Sequence, residues 1–101
     1  MSRAKSVMKE ALESGSPTRA GINLSRALEI ALGRPSMSLA AVEWRRYGTL
    51  EGWWWADLEL AQPEFEKVVA AMLDLFGVVV LFQPRRPGVM TLVCFAAERE
   101  N

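Results

Sequence analysis

Trp53, Trp54 and Trp55 stand side by side in a segment, residues 53–60, whose side chains sort by alternation. In an extended chain Trp54, Ala56, Leu58 and Leu60 fall on one side, and Trp53, Trp55, Asp57 and Glu59 fall on the other. Three adjacent indoles therefore cannot enter a single core. The segment predicts a half-buried strand, and whichever Trp side the core does not take must meet another layer, a partner or water. Two readings follow. Either helices cover both faces, or the outer side is a binding hot spot, since Trp, Tyr and Arg dominate interface energetics and charged neighbours supply a polar rim.

Helical periodicity precedes this strand. Val7, Met8, Ala11 and Leu12 form one stripe, with Ser2 as its cap and Glu13-Ser14-Gly15 as its stop. After a loop containing Pro17, Leu24, Ala27, Leu28, Ala31 and Leu32 line a second helix, capped by Asn23 or Ser25 and ended by Gly33 and Pro35. Leu39 to Tyr47 reads as a third helix opened by Ser36 or Ser38. Arg45 and Arg46 sit in its last turn and Gly48 acts as a left-handed stop; the competing reading is a strand paired with the next segment through Gly48-Thr49-Leu50-Glu51-Gly52, since Val42 and Trp44 also alternate.

Beyond the Trp segment, Pro63 opens a helix with Glu64 and Glu66 in its first turn. Phe65, Val68, Val69, Met72, Leu73 and Phe76 give it a broad apolar face that runs to Gly77. Residues 78–83 and 89–96 are β-branched apolar runs joined by Pro84-Arg85-Arg86-Pro87-Gly88, a hairpin with a stiff tip. Their apolar residues on both sides suggest strands covered on both faces, or one face closed by a second subunit. The expected class is α+β: N-terminal helices, then a small antiparallel sheet (strand 53–60, hairpin 78–96) packed with helix 63–76. At 101 residues, half of them apolar, residues 1–101 make a single domain with a core of its own.

Composition narrows the chemistry. The chain has no His and one Cys, which removes the commonest general base, the commonest transition-metal ligand, any internal disulfide and every multi-thiolate zinc site. Cys94, in the middle of an apolar run, reads as a small core residue, because a nucleophilic thiol needs a cationic neighbour at an accessible site. Gly48 and Gly52 lack a Walker lysine and a dinucleotide fingerprint, and read as turn residues. Asp57 and Glu59 share one strand face, where two acids are more often solvated than catalytic. No enzyme activity, cofactor or metal is expected.

The amino terminus lacks an apolar targeting run, since Glu10 and Glu13 follow Arg3, Lys5 and Lys9. The apolar stretch 68–82 is shorter than the ~20 residues a bilayer requires and is interrupted by Asp74. A cytoplasmic protein with no membrane role is expected. Twelve basic and twelve acidic residues cancel overall. Residues 1–50 nevertheless carry an excess of base and residues 51–101 an equal excess of acid, with Glu51, Asp57, Glu59, Glu64 and Glu66 uninterrupted by any base. The candidate contact residues are Trp53, Trp55, Asp57 and Glu59 with the flanking Arg45 and Arg46. Arg85 and Arg86, on their proline-braced tip, join them as a grip for phosphate or an acidic surface.

Residues 24–47 resemble a helix-turn-helix: an apolar helix, Gly33 in the turn, Leu39 and Val42 inside the next helix, and Arg45 and Arg46 near its end. With the 78–96 hairpin as a wing, the chain is similar to winged-helix transcriptional regulators. It departs from that pattern at Glu29, where the motif takes a small residue, and in its zero net charge. A second resemblance is of profile: about a hundred residues, no catalytic motif, strong local charge and aromatics at positions that read as exposed. In these the chain resembles small phage-encoded inhibitors of the anti-CRISPR type. That resemblance implies steric blocking of a larger, nucleic-acid-binding effector complex, with the acidic run 51–66 as a mimic and the four arginines as anchors. The function expected first is thus a non-enzymatic protein-binding module or inhibitor. Direct DNA binding as a regulator is the alternative, and a homodimer is open.

Overall fold

The computed structural model describes residues 3–33 and 42–97. Among them run α1 (Arg3–Glu13), α2 (Pro17–Leu32), β1 (Arg45–Arg46), β2 (Trp54–Glu59), α3 (Pro63–Phe76), β3 (Val78–Arg86) and β4 (Val89–Ala96). The class is α+β, with helices first and a four-stranded antiparallel sheet after them. No helix among the described residues is long and apolar enough to cross a membrane.

The second helix starts earlier than Asn23 or Ser25. Ser16 is its cap, with extended backbone and a hydroxyl that accepts from Arg19 N–H at 3.2 Å, and Pro17 opens the first turn instead of belonging to a loop. Gly33 closes it in the left-handed conformation, φ +70°, donating to Glu29 O at 2.8 Å. In α1, Met8, Ala11 and Leu12 are buried while Val7 lies exposed on the flank. Ser2 and residues 34–41, which include Ser36, Ser38 and Leu39, lie outside the described residues.

Residues 42–47 are not helical. Arg45 and Arg46 pair with Trp55 and Trp54 as a short edge strand, and residues 42–44 and 47 are irregular. Tertiary packing overrides helix propensity here. Trp44 is buried over α2, where its indole N–H donates to the Ser25 hydroxyl at 3.1 Å and its ring lies against Gly21. The helix-turn-helix reading loses the second helix that was to end on Arg45 and Arg46.

In the sheet the strand order is β1-β2-β4-β3, so β2 pairs with the last strand and not with the next one. α3 begins at Pro63, with Glu64 accepting from Ala61 N–H at 2.9 Å, and Gly77 ends it at φ +66° by donating to Leu73 O. β3 continues past Gln83 to Arg86, with a register irregularity between Pro84 and Arg86, so the turn itself is Pro87-Gly88. One face of the sheet carries Trp54, Ala56, Leu58, Val78, Val80, Leu92 and Cys94 into a common core with Leu12, Leu24, Leu28, Val68 and Met72 from the helices. The helix α3 contributes less than its sequence pattern promised, because Val69 and Leu73 remain exposed.

Candidate functional site: the open face of the sheet

All the helix contacts to the core fall on one side of the sheet. Its other face is built by strand register. Strands alternate, so each aligned row of partners shares a face. Trp55 pairs with Val93, Val93 with Leu81, and Arg45 with Trp55, giving a row Arg45-Trp55-Val93-Leu81. Two residues along, Tyr47 N–H donates to Trp53 O at 2.9 Å, and the same register places Phe95 beside Trp53 and Val79, which makes a row Tyr47-Trp53-Phe95-Val79. On the opposite flank, Asp57, Thr91 and Gln83 form a polar row.

The aromatic rings in these rows are ordered against each other. Trp53 stacks on Phe95 with centroids 3.8 Å apart and planes 7° from parallel, and Tyr47 tilts toward Trp53 at 6.0 Å. The Arg45 guanidinium stands 5.9 Å from the Trp55 ring centre. Val93, between Trp55 and Leu81 in the register, is 1% exposed yet lies outside the helix-side core. Leu81 remains 47% exposed. Among the described residues, helices cover one face of the sheet only.

Charges sit at the margins in pairs. Arg45 bonds Glu43 at 3.0 Å, and the Asp57 carboxylate accepts from the Thr91 hydroxyl and faces Arg85 Nε at 3.5 Å. Exposed pairs of this kind add little stability but leave the rim electrically balanced. Glu59 extends the polar side of β2 next to Val89, which Arg86 also faces from β3. Arg46 alternates away from Arg45 toward the helix side. The acidic run divides among three places: Glu51 in the turn before β2, Asp57 and Glu59 on β2, and Glu64 and Glu66 at the start of α3. A hollow of about 400 Å³ beside Trp53 and Phe95 is lined by Glu13, Glu51, Gly52 and Ala96 as well.

Of the expected contact residues, Trp53, Trp55, Asp57, Glu59 and Arg45 share the open face, and Arg85 reaches it through Asp57. Phe95, Val79 and Leu81 complete the face and were not singled out from the sequence. Their signal was the odd-numbered alternation within 78–83 and 89–96, which the equally apolar even-numbered residues obscured.

Cys94 lies on the other side, fully buried, and burial holds its thiol far above its ordinary pKa. The folded state keeps this proton while an unfolded chain ionises near pH 9. At neutral pH the thiol is protonated in both states and the shift has no effect; above about pH 9 the unfolded chain gains by ionising and the fold loses up to about 1.4 kcal/mol per pH unit. Urea midpoints between pH 8 and pH 10 are expected to fall more steeply for the wild-type chain than for Cys94→Ala. Equal slopes would show that the thiol ionises as readily folded as unfolded.

Compared with family models, with curated proteins and with solved structures, the chain matches none.

Proposed function

We propose that this chain is a non-enzymatic binding protein that docks the open face of its sheet onto the surface of another protein. One observation carries the reading: an aromatic and aliphatic carpet of Tyr47, Trp53, Trp55, Phe95, Val79 and Leu81, rimmed by opposite-charge pairs, on a face that takes no part in the helix-side core. A contiguous apolar patch with Trp and Tyr inside and Arg at the margin has the composition of a protein interface. Two features favour a protein over nucleic acid. The facing sides of Trp53 and Phe95 are spent on each other, which removes them as base-stacking platforms, and Arg45 and Arg85 are each neutralised by an acid of the same chain. The concrete form of the reading is an inhibitor that occupies a surface of a larger effector complex, as the anti-CRISPR resemblance implies.

The experiment uses the intact chain as bait beside a Trp53→Ser/Trp55→Ser double variant whose circular dichroism matches wild type. A protein retained by the first and lost from the second is then purified and titrated by calorimetry. Parallel titration into random-sequence duplex DNA at two salt concentrations tests the regulator alternative. Retention of the partner by both baits, or DNA binding that weakens steeply with salt, would overturn the reading.

A further inference from the structure

β3 ends the sheet: β4 pairs with one side of it, and no described strand pairs with the other. The bond from Ala97 N–H to Gly77 O, 2.8 Å, fixes the phase of the β3–β4 ladder. In an antiparallel pair the bonds to a given neighbour recur at every second residue. Gly77, Val79, Leu81 and Gln83 therefore bond to β4, while Val78, Val80 and Phe82 turn their N–H and C=O groups outward. Pro84 continues the outward series, the position in a sheet where a missing N–H costs β4 nothing. Such an edge is a template for one more strand.

The flanks of this edge are apolar. α3 runs antiparallel to β3 and over it, since Phe65 near the helix start stacks on Phe82 near the strand end, with centroids 4.9 Å apart. With Val68 and Met72 in the core and Phe65 on Phe82, Val69 and Leu73 follow Phe65 round the helix in steps of about 40°, away from the core stripe. Val69 and Leu73 are 39% and 43% exposed. On the open face Leu81 borders the same edge. Free backbone is thus lined by apolar side chains above and below.

We propose that β3 pairs antiparallel with β3 of a second copy of this chain, about a two-fold axis at Leu81. In that register Val80 bonds Phe82 of the second copy and the reverse, and Leu81 meets its own counterpart across the axis. Val78 falls opposite Pro84, so the missing donor lies at the end of the ladder, where it costs least. The exposed α3 stripes approach from the helix side. Charge selects a second copy over an unrelated strand. Arg86, at the end of one β3, falls opposite the beginning of the other, where α3 presents its negative pole and carries Asp74, with the Lys5 stem of α1 against the Gly77 cap. An isologous pairing satisfies both ends at once. It stands independently of the protein-docking reading, and it would extend the open face through Leu81 into one continuous sheet.

The test follows the unmodified chain by sedimentation velocity over a concentration series, with hydrogen exchange read at single amides. The expected species has twice the 11.3 kDa of the chain, and the Val80 and Phe82 amides gain protection only where it is populated. Leu81→Arg sets like charges against each other at the axis and is expected to raise the dimer Kd at least about tenfold. Because Leu81 is half-exposed, the monomer's circular dichroism should be retained. A chain that stays at 11.3 kDa throughout, or a dimer in which Val80 and Phe82 exchange as fast as in the monomer, overturns the proposal. The exchange result comes from the wild-type chain, so it does not depend on the variant folding.

Discussion

Trp54→Ala is expected to remove most of the stability of this domain. Trp54 is the largest fully buried side chain, 1% exposed, and its indole N–H donates to Leu12 O at 2.9 Å. That carbonyl belongs to the last turn of α1, where no further helical N–H follows to satisfy it. One side chain therefore fills the space between sheet and helix and caps the helix as well. Truncation leaves a cavity, worth about 3–5 kcal/mol for a buried Trp, and an orphaned acceptor besides. Domains of this size are stable by only about 5–15 kcal/mol. Chemical unfolding followed by far-UV circular dichroism should show a midpoint that collapses toward zero denaturant. Trp54→Phe, which restores most of the volume but not the bond, should recover more than half of the loss. A Trp54→Ala midpoint within about 1 kcal/mol of wild type would mean that Trp54 is not the link between the layers.

Trp55→Ala, one residue along, is expected to do the opposite. Its ring lies on the open face over Val93 and against Arg45, and the helix-side core does not include it. Its removal uncovers Val93 at a cost of about 1–2 kcal/mol in stability, leaving the chain folded. Affinity for a protein docked on that face should fall by about 2–4 kcal/mol, the range of aromatic hot spots at the centre of an interface, which is about 30- to 1000-fold in Kd. Calorimetry of the purified pair reads this directly. A loss of twofold or less in a folded variant would place the contact elsewhere. The adjacent pair thus separates folding from binding in one experiment, with Trp54 as the stability control for Trp55.

Periodicity carried much of the architecture. Pro63, Glu64, Glu66 and Gly77 marked both ends of α3, and the alternation at 53–60 separated Trp54 from Trp53 and Trp55, as found, without showing which side faced the core. Local signals failed where distant contacts decided. Arg45, Arg46 and Gly48 spell a helix end, yet the segment is held extended by pairing with Trp54 and Trp55 and by Trp44 settling on α2. The competing strand reading, carried by the alternation of Val42 and Trp44 and the turn at 48–52, is the one the pairing supports. Ser16-Pro17 is a legible cap, but the apolar stripe of α2 begins only at Leu24, after a first turn exposed except at Ala20. The candidate site was half visible for a related reason. Trp53 and Trp55 announce themselves by composition, whereas Phe95, Val79 and Leu81 join them only through the register of three strands, and register is a property of pairing.

The strand order has a consequence for the growing chain. β2 and β3 do not touch in the ladder; each pairs with β4, the last strand of the described chain. During synthesis the Trp-rich strand emerges well before β4 exists, with only the two-residue β1 to pair with, and it waits while α3 and β3 are made. Pairings between strands so distant in sequence form slowly, and an unpaired apolar strand is open to association with its neighbours in the meantime. A chain cut before Val89 leaves β2 and β3 without the strand that joins them, and Trp53 and Trp55 without Phe95 and Val93 beside them.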